Sequence, residues 1–135
     1  MLISSGCYMK TMTIPIDHEY IAPDGAEIRL LLRNTHGGIC HCNLRNGKIS
    51  HAVQHKTVSE FWHILSGKGE IWRKNGTEES ITSLHGGITI DIPVGTAFQY
   101  RSTDNDLTFI CVTTPPWPGD DESFYVEKSP WIATV

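Results

Sequence analysis

The sequence predicts an all-β protein, a two-sheet jelly-roll barrel, on three observations. Nearly every run between residues 26 and 114 is short and rich in β-branched and aromatic side chains, which is typical of strands. Turn residues, glycine above all, separate these runs at roughly the 8–12-residue spacing of sandwiches and barrels. No run keeps the 3.6-residue period of an amphipathic helix. A double-sheet jelly roll closes this number of strands within 135 residues.

Nine strands are predicted along this core. The glycines of Gly67-Lys68-Gly69 and the pair Asn75-Gly76 predict tight reversals, and the polar segment 102–106 predicts another turn. The predicted strands are 26–33, 39–45, 48–55, 60–66, 70–74, 80–84, 88–92, 97–101 and 107–114.

The composition changes after Thr114. Three prolines within four residues exclude an inner strand there, because proline lacks a backbone donor. The same tail carries large aromatic side chains, which rarely stay in water. We expect one domain, 1–135, with its core at about 26–114 and a tail that wraps the barrel or covers a subunit interface. Such arms commonly accompany a homodimer, which we expect here.

Composition and charge narrow the range of partners. The net charge is −4, and the 11 Lys and Arg residues are spread along the chain, so no basic patch for nucleic acid or an acidic membrane is predicted. No run reaches the roughly 18 apolar residues of a membrane span, and the segment MLISSGCYMK lacks the basic start and apolar stretch of a signal peptide. We therefore expect a cytoplasmic protein whose partner is a small-molecule ligand.

Four cysteines, Cys7, Cys40, Cys42 and Cys111, have no C-x-x-C spacing. Cys40 and Cys42 alternate along a predicted strand, and Cys111 lies within the apolar run LTFICV. Free cysteine behaves as a small apolar residue. We therefore expect buried free thiols rather than a disulfide framework or a zinc site.

Two stretches carry the functional information, HKTVSEFWHILSG (55–67) and GITIDIPVGTAF (87–98). Their spacing resembles the two motifs of the cupin superfamily, G-x5-H-x-H-x3,4-E-x6-G and G-x5-P-x-G-x2-H-x3-N. The residues that match are His55, Glu60, Gly67, Gly87, Pro93 and Gly95. The segments KTVSEFWHILSGKGEIWR and TTPPWPGDDE also resemble small single-domain bacterial cupins labelled mannose-6-phosphate isomerase-like. The resemblance implies a double-stranded β-helix barrel.

The resemblance also implies a metal ion held by three histidines and a glutamate, and this chain departs from that set. Val53 and Phe98 stand where two of the histidines belong, while His55 and Glu60 remain. His51 would be the third ligand if a metal were bound, although two residues along a strand displace a side chain by roughly 6–7 Å. We therefore expect no cofactor, with a divalent transition metal on His51, His55 and Glu60 as the alternative.

His55 and Glu60 can also act without a metal. A histidine and a carboxylate in an apolar funnel form an acid–base pair, because burial raises the carboxyl pKa while an imidazolium lowers it. Some cupins that act on sugars, the nucleotide-sugar epimerases among them, work without metal through such groups. A polar pair that only satisfies its own hydrogen bonds is the alternative.

Four further side chains are predicted to bind the substrate: His51, Trp62, Phe98 and Tyr100. Alternation along the strands places the three aromatic rings on the same inward faces as His55 and Glu60, and it places His51 on the same face as His55. Ring faces and a tyrosine hydroxyl suit a small ring, a sugar or a planar metabolite. Aromatic side chains also fill the interior of small barrels, so core packing is the alternative.

Three functions follow from these residues. The first is a metal-independent isomerase or lyase in which His55 and Glu60 exchange protons. The second is a non-enzymatic module that binds or senses a metabolite. The third is a metal-dependent oxygenase or isomerase that uses His51, His55 and Glu60. The sequence does not identify the substrate.

Overall fold

A computed structural model describes residues 9–135 of the chain, which fold into one curled nine-stranded sheet. The strands are β1 (Tyr20–Ile21), β2 (Glu27–Arg33), β3 (Gly38–Leu44), β4 (Val53–His55), β5 (Ser59–Asn75), β6 (Glu78–His85), β7 (Thr89–Ile92), β8 (Ala97–Thr114) and β9 (Ser123–Tyr125). A single 3-10 turn, Asp120–Glu122, is the one helical element among the described residues. The predicted all-β class and jelly-roll architecture are confirmed.

Two long strands, β5 and β8, run antiparallel to each other and organise the whole sheet. The first part of β5, from Ser59 to Ser66, pairs with the end of β8, and its second part pairs with the beginning of β8. β7 extends the first part of β5, and β6 extends the second part. β8 in turn joins β3 at one end and β4 at the other. Each long strand therefore passes from one face of the barrel to the other.

The predicted reversal at Gly67-Lys68-Gly69 is wrong, because these residues lie inside β5. The register against β8 shifts at this point, so the strand bulges and bends without turning back. Gly67 has φ +85°, and a Cβ on Gly69 would lie 2.1 Å from the carbonyl oxygen of Arg101. Glycine is thus needed here for a bend and for close packing of two backbones. Local glycine spacing does not distinguish such a bend from a hairpin.

The predicted turn at 102–106 is wrong for the same reason. This segment lies within β8, and Asn105 carries the positive φ, 62°, that accommodates the bend. Asparagine is among the few residues other than glycine that adopt this conformation readily. The nine predicted strands thus become seven in the structure, while β1 and β9 lie outside the predicted core.

The predicted strand 48–55 is confirmed only for Val53–His55. The preceding residues form hydrogen bonds in several directions: Ser50 N–H donates to Tyr100 O, and His51 N–H donates to Asp24 O. Ile49 forms an isolated bridge with Arg101. Because the ladder is interrupted before Val53, the inward alternation does not extend back to His51.

The tail after Thr114 packs along the barrel. β9 pairs with β4, and the Glu122 carboxylate accepts hydrogen bonds from the N–H groups of Thr57 and Val58, at 2.6 and 3.1 Å. Farther along, the ring of Trp131 lies under the guanidinium of Arg101, 4.3 Å from ring centre to Cζ. This tail therefore covers β4, the strand that carries His55. No helix in residues 9–135 is both long and apolar enough to cross a membrane.

The close approach at the bend gives a stability prediction. Gly69→Ala should lower the free energy of unfolding by about 1–3 kcal/mol, because the added methyl group collides with the backbone of β8. Gly76→Ala is the matched control, since Gly76 has φ +60° and open space around its Cα, so only conformational strain is added. Urea unfolding measures both variants. Equal losses for the two would show that the approach at Gly69 does not constrain the fold.

Candidate functional site

A largely apolar cavity of about 180 Å³ lies inside the barrel. Strands β2 to β5, the end of β8 and the tail all contribute to its wall. It is lined by Tyr20, Ala22, Pro23, Asp24, Ile28, Leu30, Leu31, Arg33, Gly38, Ile39, Cys40, Cys42, Val53, His55, Glu60, Trp62, Phe109, Cys111, Thr113, Trp117 and Ser123. A concave apolar site with a few polar groups is the usual form of a small-molecule pocket.

His55 and Glu60, which the sequence predicts as a pair, meet in this cavity. His55 Nδ1 lies 3.6 Å from Glu60 Oε2, and the residues are only 5% and 6% exposed. Glu60 Oε1 accepts a hydrogen bond of 2.8 Å from the indole N–H of Trp62. His55 Nδ1 is buried and has no hydrogen-bond partner within residues 9–135. His55 Nδ1 can therefore form a hydrogen bond with a neighbouring group or with a ligand.

Burial shifts the pKa values of the two side chains toward their uncharged forms. Desolvation raises the pKa of Glu60 to about 8, although the Trp62 indole stabilises the carboxylate and opposes the rise. Desolvation lowers the pKa of His55 to about 4, and the Glu122 carboxylate opposes this fall. Between about pH 4 and 8 the imidazole is therefore neutral and the Glu60 carboxyl group is protonated. The cavity therefore holds a neutral base, His55, next to a neutral acid, Glu60.

Asp24 is a second carboxylate in the cavity, and it was not predicted as a site residue. Its Oδ1 accepts the N–H of Ala26 at 3.0 Å, which fixes the side chain in the turn before β2. Burial raises the pKa of Asp24 to about 6, against the effects of that N–H and the nearby Tyr100 hydroxyl. In the sequence, Asp24-Gly25 gives only a turn signal.

The predicted binding residues occupy different positions. Trp62 lines the cavity, whereas Phe98 and Tyr100 are fully buried beside it and do not line it. The ring centres of Phe98 and His55 are 5.2 Å apart, and those of Tyr100 and Trp62 are 4.8 Å apart. Both rings therefore support the site from behind. Their role in binding stays a prediction.

The residues predicted as the alternative metal site do not fit one. His51 does not line the cavity; its ring packs edge-on against Tyr125, 5.4 Å between centres. In the described part of the chain, no group of three or more His, Cys, Asp or Glu side chains is arranged to hold a metal ion. Val53 and Phe98, which stand where the cupin motifs have histidine, face each other across β4 and β8. His51, His55 and Glu60 are thus not brought together.

Two side chains of the tail complete the cavity wall, although neither was predicted as a site residue. The Trp117 ring meets the His55 ring edge-on at 5.0 Å, and Ser123 is the β9 partner of His55. The indole N–H of Trp117 and the hydroxyl of Ser123 are buried without a hydrogen-bond partner in residues 9–135. Both are donors that a ligand oxygen could satisfy.

Three thiols form the side of the cavity nearest β3 and β8. All three are free thiols; Cys42 and Cys111 are buried, as predicted, whereas Cys40 is only half-buried. Cys40 Sγ and Cys42 Sγ are 3.6 Å apart. Cys7 lies outside the described residues.

Comparison with known proteins gives structural relatives only. No family model and no curated protein matches the sequence. An uncharacterised Klebsiella pneumoniae protein with a double-stranded β-helix domain is 18% identical, with TM-score 0.63, over 76% of this chain and 80% of that one. A Streptomyces PAC13 variant with uridine is 12% identical, with TM-score 0.68, over 87% of this chain and 92% of that one. Bacillus subtilis oxalate decarboxylase is 14% identical, with TM-score 0.74, over 90% of this chain but 33% of the longer enzyme.

These identities are low, so the likeness concerns the fold and does not transfer an activity. The same architecture recurs in proteins described as different enzymes, from a decarboxylase to a dehydratase. Together with the bent strands and the closed barrel, the comparisons establish the architecture: this chain has the double-stranded β-helix fold of the cupins.

Proposed function

We propose that the protein is a metal-independent enzyme of isomerase or lyase type, which moves a proton on a small molecule bound in the cavity. The observation that carries the proposal is the buried pair of His55 and Glu60, 3.6 Å apart and uncharged near neutral pH. An acid and a base whose pKa values are displaced in opposite directions within one cavity are typical of proton-transfer sites.

The geometry assigns a role to each group. Glu60 Oε1 is engaged by Trp62, so Oε2 is the oxygen that carries the acid proton toward His55. The neutral imidazole of His55 removes a proton from a substrate carbon, and the carboxyl group of Glu60 donates its proton to an oxygen of the substrate. In an isomerisation that oxygen becomes the hydroxyl group of an enol; His55 then returns its proton to the neighbouring carbon, and Glu60 takes back a proton from the second oxygen. In an elimination the C–O bond breaks, and the oxygen leaves as water or an alcohol.

The short distance between His55 and Glu60 also allows the two side chains to return to their starting protonation states. After an elimination His55 carries the extra proton and Glu60 has lost one. Neither charge is favoured in an apolar cavity, so transfer of the proton from the imidazolium to the carboxylate restores both neutral groups. Solvent is not needed for this step, which suits side chains that are this deeply buried.

The comparisons are compatible with this chemistry. Pac13, which is described as a nucleoside dehydratase, matches 87% of this chain and 92% of its own at 11% identity. A dehydration is an elimination of the kind written above.

Membership of the mannose-6-phosphate isomerase-like group stays a prediction, as does the homodimer. For the homodimer, exposed apolar side chains on β2, Leu30 and Leu32, offer a surface.

The protonation state of Glu60 can be tested without a substrate. The folded-state pKa of about 8 lies above its ordinary value of 4.5, so the folded protein loses stability as the pH rises through that range. Glu60→Gln removes this loss. The free energy of unfolding of the variant should therefore exceed that of wild type by a few kcal/mol at pH 8 but by little at pH 4.5. Urea unfolding at both values measures the difference.

The control for that experiment is Glu70→Gln. Glu70 is half-exposed and paired with Arg101 at 2.6 Å, so its substitution should not produce the same gain at high pH. A pH-independent difference between Glu60→Gln and wild type would mean that Glu60 is ionised in the fold. The acid role would then fail.

Activity can be sought by hydrogen exchange. The wild-type protein is incubated in D₂O with a panel of nucleosides, uridine included, and small 3-hydroxycarbonyl compounds, and proton NMR follows deuterium uptake and elimination products. We expect uptake on at least one compound, with a bell-shaped pH profile whose limbs lie near the pKa values of about 4 and 8. His55→Gln should lower the rate by roughly 100-fold or more.

His63→Gln is the matched control for His55→Gln, because His63 is exposed on the opposite face of β5 and contacts Thr89. Binding of a panel compound without exchange would favour the non-enzymatic module. Activity that a chelator abolishes and a divalent metal restores would favour the metal-dependent alternative. Equal activity of wild type and His55→Gln would overturn the proposal.

A further inference from the structure

The three thiols of the cavity have no part in the proton transfer, and their arrangement is specific. Cys40 and Cys111 are direct partners across the antiparallel strands β3 and β8. Cys42 follows on the same face of β3, with its sulfur 3.6 Å from that of Cys40. Cys40 is the most exposed of the three. All three line the cavity, so a small reagent that enters it meets a group of thiols rather than a single one.

We propose that Cys40 and Cys111 form a peroxide-reactive modification site, in which Cys40 is oxidised first and Cys111 then closes a disulfide across the cavity wall. An oxidant-sensitive cysteine is typically accessible and stands beside a second thiol that resolves its oxidised form. Cys40 fits the first description and Cys111 fits the second. The oxidant is hydrogen peroxide or an organic hydroperoxide small enough for the cavity of about 180 Å³.

Strand geometry selects Cys111 over Cys42 as the resolving residue. Residues directly opposite each other in antiparallel strands have Cα atoms about 4.5–5.5 Å apart. That separation lies within the range of about 4.4–6.8 Å found for disulfides. Two residues along one extended strand, such as Cys40 and Cys42, are roughly 6.4–6.8 Å apart, at the limit of that range. A disulfide between Cys40 and Cys42 would require β3 to bend.

The thiols also support each other electrostatically. The thiol groups of Cys111 and Cys42 stabilise a thiolate on Cys40, which lowers the pKa of Cys40 against the opposing effect of burial. The same contact with Cys40 raises the pKa of Cys111. The thiolate is the nucleophile in thiol oxidation, so these contacts favour attack by Cys40, the cysteine that a reagent can reach.

The reaction balances without any further component. The Cys40 thiolate attacks one peroxide oxygen, the O–O bond breaks, and the other oxygen leaves as water or an alcohol after it takes a proton. Cys40 is then a sulfenic acid. The Cys111 sulfur attacks the Cys40 sulfur, the S–S bond forms as the S–O bond breaks, and hydroxide leaves with the Cys111 proton as water. Two thiols lose two electrons, and the peroxide gains them.

The test uses the full chain with Cys7→Ser, which removes the cysteine outside the described residues. The protein is treated with hydrogen peroxide, and intact mass and peptide mapping without reductant follow the products. We expect the loss of two hydrogen atoms and a Cys40–Cys111 linkage. In the Cys111→Ser variant, dimedone should trap a sulfenic acid on Cys40. Cys40→Ser should lower the rate of oxidation at least about tenfold.

Two controls separate this site from general thiol reactivity. Cys42→Ser keeps a hydrogen-bond donor beside Cys40 and should form the same disulfide. Protein unfolded in urea should lose the preference for Cys111, since the Cys40–Cys42 loop is then the shorter one to close. Oxidation of folded Cys40 to sulfinic acid without a disulfide, a Cys40–Cys42 linkage in the folded protein, or no reaction would overturn the proposal. None of these readouts depends on the activity proposed above.

Discussion

The backbones of β5 and β8 come so close at Gly69 that a Cβ there would lie 2.1 Å from the carbonyl oxygen of Arg101. This approach lets two long strands bend together and serve both faces of the barrel. The first part of β5 then carries Glu60 and Trp62 inward, while the second part pairs with β6. Without the bend, each strand would belong to one sheet, and the wall of the cavity would be incomplete.

The electrostatics of the site follow from this enclosure. An ionised carboxylate in an apolar interior is costly, and a protonated one is not. Glu60 therefore holds its proton to about pH 8, and His55 stays neutral down to about pH 4. Apolar Val53 and Phe98, at positions where the cupin motifs have histidine, add to the same effect because they bring no charge and no water-binding group beside the pair. Val53 and Phe98 thus add to the apolar surroundings in which the proposed proton transfer between neutral groups would take place.

The sequence allowed the strands and the central pair to be predicted because those features are local. Alternation along β5 placed Glu60, Trp62 and Ile64 on one buried face, and the structure agrees. His63 falls on the other face and is exposed. Glycine spacing, however, marked Gly67-Lys68-Gly69 as a reversal, since a bulge and a turn both require the same backbone freedom. Only the pairing with β8 distinguishes the two.

The rest of the site depends on contacts between distant segments. Asp24 reaches the cavity from the turn before β2, and Trp117 and Ser123 reach it from the tail. Alternation of side chains applies only while a strand is continuous, so it failed for His51, whose N–H is bonded to Asp24 O outside the strand. The grouping of Cys40 with Cys111 required the register between β3 and β8. A single sequence contains no register.

The thiols and the acid–base pair share one cavity, yet they respond to different chemistry. Burial is the largest cause of the high pKa of Glu60, while the contributions of Cys111 and Cys40 are smaller and opposite in sign. A disulfide between these cysteines removes both contributions and leaves the burial in place, so Glu60 keeps its proton. The disulfide changes the cavity wall instead. It places two bonded sulfur atoms beside Glu60 and links β3 covalently to β8. Oxidation would therefore act on the shape of the cavity rather than on its acid.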